Sequence, residues 1–350
     1  VRTSVDDNLW REALLKEVDR QAIYLGQRRL DSIFFGGGTP SLMPPKTVEA
    51  LIDCALQHWS TAEDLEITLE ANPNSVEVSR FQDLRAAGVN RVSIGVQALN
   101  DGDLKRLGRQ HSATEAIAAV KTAIATFDRV SFDLIYARPE QTLTAWRQEL
   151  SDALSFGTEH LSLYQLTIEP GTAFAPLYER GDLVIPGEDL AADLFEMTQS
   201  LTATAGLPAY EISNHARVSA ESRHNLAYWR YQDYAGVGPG AHGRLTLASG
   251  KVATKQYRAP ETWLKAVNKK SGEEESLPLS LADQAMEALM MGLRLTSGVS
   301  LDQAKRDIID VKSLKFLEEG GYLTVDDAYL KATPLGLQCL NAVLKRLIKG

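Results

Sequence analysis

Two apolar periods take turns along the first half of the chain. Leu9, Leu14, Val18 and Ala22 fall near helical spacing over residues 9–27, with Gly26 as a stop. A short apolar run follows at 31–35, then a helical pattern at 46–58. The alternating stretch LEITLEANP, residues 65–73, reads as a strand ending at a proline. The succession continues with helix 76–87 closed by Gly88, strand 90–97, helix 112–126, strand 129–139, helix 142–156 and strand 160–170. Strand then helix, repeated five times, is the signature of parallel βα units. Such sheets hold ligands at the carboxyl ends of their strands. Those ends carry glycines 36–38 with Thr39, then Glu70 and Asn72, Gly95 and Gln97, Asp133, and finally Thr167 and Glu169.

After residue 170 the pattern changes. A helix is predicted over 188–205, residues 211–245 read as irregular, aromatic and glycine-rich, and NKKSGEEES at 268–276 reads as a charged linker. A second unit is expected from residue 281, with helices at 281–294, 300–307, 311–319 and 334–348. Between the last two, YLTVDDAYLKAT reads as a hairpin turning at an Asp-Asp pair. Helices with one hairpin suggest a winged-helix shape, but residues 281–350 hold nine Lys/Arg against nine Asp/Glu and no basic stripe.

Composition narrows the function classes. The 350 residues, 44% hydrophobic and 24% charged, place the chain among ordinary globular proteins. A formal net charge of −9 argues against non-specific nucleic-acid binding. There is no apolar run of the roughly 18 residues a membrane span requires and no signal-peptide pattern at Val1. Two distant cysteines, Cys54 and Cys339, suggest a reducing, cytoplasmic setting.

The run FFGGGTP is neither the spaced glycine fingerprint of a dinucleotide site nor a P-loop. Three consecutive glycines after a strand present bare backbone to a ligand, or else only make a tight turn. Glu70 can bridge hydroxyl and ammonium groups, Gln97 offers donor and acceptor, Asp133 adds a carboxylate, and Arg109 can grip a carboxylate bidentately. Any one of these also reads as a satisfied charge at a barrel rim. As a set around a glycine turn they suit an amphoteric ligand with ammonium, carboxylate and ribose, such as S-adenosylmethionine (SAM). In SRHNLAYWRYQDYAGVGPGAHG, residues 222–243, His224 lies among Tyr228, Trp229, Tyr231 and Tyr234. That is either an aromatic cluster packing a loop or the axial donor and flat walls of a haem site.

FFGGGTPSLM, EITLEANP, RVSIGVQALNDGDLKRLGRQH, FDLIYARPEQT and LSLYQLTIEPGT together resemble the radical SAM proteins of the HemN/HemW group, over essentially the whole chain. The resemblance implies an α/β fold: a partial (β/α)6 barrel over residues 1–175, an extension over 176–267, and a winged-helix-like α+β domain over 268–350. It implies SAM contacts at Gly37, Gly38, Thr39, Glu70, Gln97, Arg109, Asp133 and Thr167. HNLAYW matches the HNxxYW motif marking the HemW branch, which implies haem-associated residues His224, Asn225, Tyr228 and Trp229, with His224 the iron ligand. The function implied is that of a haem chaperone delivering haem to haem proteins, respiratory membrane proteins among them. The alternatives are oxidative decarboxylation of coproporphyrinogen III and a plain SAM-binding module. The family's [4Fe–4S] cluster takes three cysteines of a CxxxCxxC loop, which this sequence lacks. That loop and a further barrel strand are expected before Val1. Cys54 and His58, spaced i, i+4, could share a helix face, though Cys54, like Cys339, reads first as a core residue.

Overall fold

The computed structural model describes residues 6–172, 174–326 and 328–349; Val1 lies outside them. Its centre is a six-stranded sheet in the order β1–β6: Arg29–Phe35, Ser60–Ala71, Arg91–Gln97, Arg129–Tyr136, His160–Gln165 and Asn214–Ala216. The first five strands pair in parallel and β6 closes the series antiparallel to β5. This is the expected α/β architecture, an open, curled barrel wall. Among the described strands, the outer edge of β1 has no partner.

Alternation along each strand sorts side chains between two faces. Ile67, Leu69, Ala71, Val92, Ile94, Val96, Phe132 and Leu134 face outward and pack with Ile52, Leu84, Val120, Trp146 and Leu150 of the surrounding helices. The intervening positions face inward, and they are polar: Glu66, Thr68 and Glu70 on β2, Ser93 and Gln97 on β3, Ser131 and Asp133 on β4, His160 and Ser162 on β5. An apolar outer face seals the helices onto the sheet, whereas hydroxyls and carboxylates inside leave a surface suited to a polar ligand.

Parts of the stretches read from sequence as irregular or linker prove to be regular. Strands β7 (His242–Leu247), β8 (Gly250–Gln256) and β9 (Glu273–Pro278) form an antiparallel sheet. The expected charged linker is therefore in part an edge strand: Glu275 pairs with Lys255 on one side while its other edge meets solvent. The expected irregular stretch also contains the helix Arg223–Trp229. The C-terminal unit has its own core of Leu289, Leu317, Leu330, Val343 and Leu347, to which Phe195 of the helix Glu188–Thr204 contributes. Helices Leu281–Gly292, Gln303–Ile308 and Val311–Glu319 stand with a small sheet of β10 (Val299–Ser300), β11 (Leu323–Val325) and β12 (Tyr329–Ala332), and the predicted hairpin is the β11–β12 pair.

Candidate functional site

The glycine turn follows β1 directly. Gly37 and Gly38 have φ of +76° and +59°, the left-handed region that favours glycine. Gly36 is needed for a different reason: a Cβ there would come within 2.7 Å of the Phe34 ring. The Gly37 N–H donates to Glu70 Oε2 at 3.2 Å, so turn and strand end are joined. Burial raises the Glu70 carboxyl above its ordinary range, and the Gly37 bond opposes the shift.

A second group forms on the next two strands. Gln97 takes a left-handed φ of +72° at the end of β3 and is only 6% exposed. Its Nε2 donates to Asp133 Oδ2 at 2.6 Å. Burial pushes the Asp133 carboxyl up to about 6, against the opposing pull of Gln97 and the positive field of Arg109. Arg109 lies exposed in the loop after the helix Asp101–Arg106, reaching Asp133 through that field. Thr167 is exposed beyond β5. Tyr164, unremarked in the sequence, is held up to about 12, first by burial and also by the charges of Asp133 and Glu70. Both carboxylates thus act on one phenol.

The aromatic motif joins this rim by way of β1. Ser222 caps the helix Arg223–Trp229, its Oγ accepting from Asn225 N. The His224 ring stacks on Phe34 with centroids 4.0 Å apart and planes 15° apart, and meets Tyr228 edge-on at 4.6 Å. A cavity of about 1430 Å³ is lined by Phe34, Gly36, Gly37, Thr39 and Glu70 together with His224, Tyr228, Tyr234 and His242. Two motifs from opposite halves of the sequence therefore share one chamber. Gln97, Asp133, Arg109 and Thr167 lie outside its wall.

HNLAYW resolves into two i, i+4 pairs on neighbouring helix faces. His224 and Tyr228 face the chamber. Asn225 Nδ2 instead donates to Tyr210 Oη at 3.4 Å, and Trp229 lies under the Arg294 guanidinium, 5.6 Å from its ring centroid. Burial holds the His224 imidazole down at about 4, so it is neutral at pH 7. No described group hydrogen-bonds its ring nitrogens.

Sequence reading passed over the residue that sets this helix in place. Glu66 Oε1 accepts from the backbone N–H groups of Arg223 and His224, at 3.0 and 3.4 Å. Its other oxygen pairs with Arg91 at 2.9 Å and Arg129 at 3.2 Å. A buried carboxylate at a helix N-terminus satisfies orphan amides and favours the positive end of the helix dipole. The signal was present in LEITLE, whose period of two sets Glu66 on the inner face with Glu70.

The residues present accommodate some of the expected groups and not others. The bare glycine turn, the inward carboxylates and the chamber suit a SAM-sized polar ligand. An imidazole with free nitrogens among Phe34, Tyr228 and Tyr234 has the donor chemistry for haem iron. The two cysteines do not suit a [4Fe–4S] cluster: Cys54 is on the helix Pro45–His58 and Cys339 in the C-terminal unit, both as free thiols.

Comparison with known proteins agrees with this architecture. Residues 3–153 match the model of the radical SAM superfamily and residues 279–339 that of the HemN C-terminal domain. The chain is 36% identical to the heme chaperone HemW of Escherichia coli (strain K12) over 340 residues, covering 95% of this chain and 88% of that one. It is 38% identical to the mitochondrial radical S-adenosyl methionine domain-containing protein 1 of Bos taurus over 359 residues, 98% of this chain and 81% of that one. Its fold matches the solved coproporphyrinogen III oxidase (HemN) of Escherichia coli with a TM-score of 0.78, at 19% identity over 99% of this chain and 84% of that one. The chain belongs to the HemN/HemW family of radical SAM proteins.

Proposed function

We propose that this protein is a haem chaperone of the HemW type, binding haem at His224 and SAM at the glycine-turn rim, and passing haem to haem proteins. The observation that carries the reading is the shared chamber, lined both by the neutral imidazole of His224 and by Glu70 with Gly36 and Gly37 of the glycine turn. His224 ligates iron through a ring nitrogen, while Phe34 and Tyr228 fix the ring plane. Glu70, Gln97 and Asp133 supply acceptors for an ammonium or ribose group, and Arg109 supplies a counter-charge for a carboxylate. Among the described residues, no helix is long and apolar enough to cross a membrane.

The test is haem titration of the purified protein and of His224→Ala, read by the Soret band. Loss of the axial-ligand signature in the variant, with unchanged circular dichroism, is the expected result. A variant spectrum identical to the parent's overturns the assignment of His224. Because proton competition for the imidazole begins only near pH 4, ligation should hold constant from pH 8 to pH 6. Conversion of coproporphyrinogen III by the protein loaded with cluster, SAM and a reductant would assign decarboxylation instead.

A further inference from the structure

On the outside of the barrel a second cluster of ligating groups lies apart from the chamber. Cys54 and His58 are one helical turn apart near the end of the helix Pro45–His58 and project to the same side. The helix Asp7–Leu25 packs alongside and brings Asp19 to meet them. Both groups converge on one carboxylate oxygen: His58 Nε2 is 2.7 Å from Asp19 Oδ1, and Cys54 Sγ donates to the same atom at 3.4 Å. One donor atom from each residue can be chosen so that all three lie within 4.8 Å of one another.

Neither an ordinary surface ion pair nor a core cysteine accounts for this arrangement. An ion pair needs no thiol, and a core cysteine has no carboxylate as its partner. The side chains of Asp19 and His58 are 55% and 33% exposed, so an ion could enter from solvent. A thiolate, an imidazole and a carboxylate form a mixed donor set suited to zinc, with small rotamer adjustments bringing the atoms to bonding distance.

We propose that Asp19, Cys54 and His58 form a three-ligand site for a divalent zinc-class cation, with the remaining coordination position open to solvent. Binding replaces the proton on Cys54, which leaves to water, while His58 binds as the neutral imidazole. The ion then cross-links the first two described helices on the flank of the barrel. The site is independent of SAM, haem and any iron–sulfur cluster, and neither cysteine-based cluster ligation nor the His224 reading bears on it.

The test uses the untagged 350-residue chain stripped with chelator and titrated with cobalt(II) alone, then with zinc against a chromophoric competitor. A thiolate-to-cobalt charge-transfer band and one equivalent of zinc are expected. Cys54→Ser should abolish the band, whereas Cys339→Ser should leave it intact. His58→Gln and Asp19→Asn should each weaken zinc binding by about 100-fold or more, beyond the loss typical of an outer-shell partner. Circular dichroism of each metal-free variant guards against misfolding, and conservative His58→Gln serves if Cys54→Ser fails to fold. A parent chain showing no charge-transfer band, or one that survives Cys54→Ser, overturns the site.

Discussion

Asp133 is a single carboxyl whose environment opposes its own charge. Its pKa is raised to about 6 by burial, above the unfolded value of about 4. Between those values the folded chain holds a proton that the unfolded chain releases, so stability rises as pH falls through 6 and levels off below 4. Above pH 6 the buried charge is a standing cost. Asp133→Asn should therefore raise the melting temperature by several degrees at pH 7.5, the gap closing by pH 4, while weakening SAM binding measured by calorimetry. In the proposed SAM site such a charge would be kept at the expense of stability, a pattern expected of a binding residue. Gly36 offers a steric counterpart. Gly36→Ala would press on the Phe34 ring at 2.7 Å, and its effect should be a loss of about 1–3 kcal/mol in urea unfolding, the range for overpacking.

At the scale of the element, the helix Arg223–Trp229 is too short to be stable alone and depends on its anchors. Glu66→Ala leaves Arg91 buried without its carboxylate and frees two helix amides, which should cost about 3–5 kcal/mol. Ser222→Ala removes only the cap, at about 1 kcal/mol. Hydrogen exchange at residues 223–229 separates the two: Glu66→Ala should expose the whole segment, Ser222→Ala only its first turn. This contrast also marks what was legible in the sequence. The βα units announced themselves because Leu-, Ile- and Val-rich strands alternate with amphipathic helices. The helix at 223–229 did not, since its order derives from a carboxylate on β2 far away in sequence. Strand β9 was hidden by its glutamates, which an edge strand tolerates because one side faces water. Glu70, Gln97 and Asp133 could be picked from strand ends, but nothing in the spacing told that the aromatic motif would face the glycine turn.

The whole molecule is joined across its parts by a few polar contacts as well as by shared core. Glu287 of the helix Leu281–Gly292 accepts from Tyr231 Oη at 2.6 Å and from Arg244 Nε and Nη2 at 2.9 and 2.8 Å. Tyr231 follows the aromatic motif and Arg244 lies on β7, so one carboxylate ties the C-terminal unit to the segments that carry the chamber residues Tyr234 and His242. Glu287→Ala should cost about 1–3 kcal/mol, the range for hydrogen bonds to a charged group. Limited proteolysis should then cut between residues 230 and 245 faster than in the parent. A different kind of connection passes through Phe34. Atoms of its ring limit Gly36 beside Glu70, and its plane stacks with the His224 imidazole. Two ligands that both border one aromatic plate do not bind independently if either moves it. Whatever factor SAM applies to haem affinity, haem must apply to SAM affinity in return, and Phe34→Leu should bring that factor toward one.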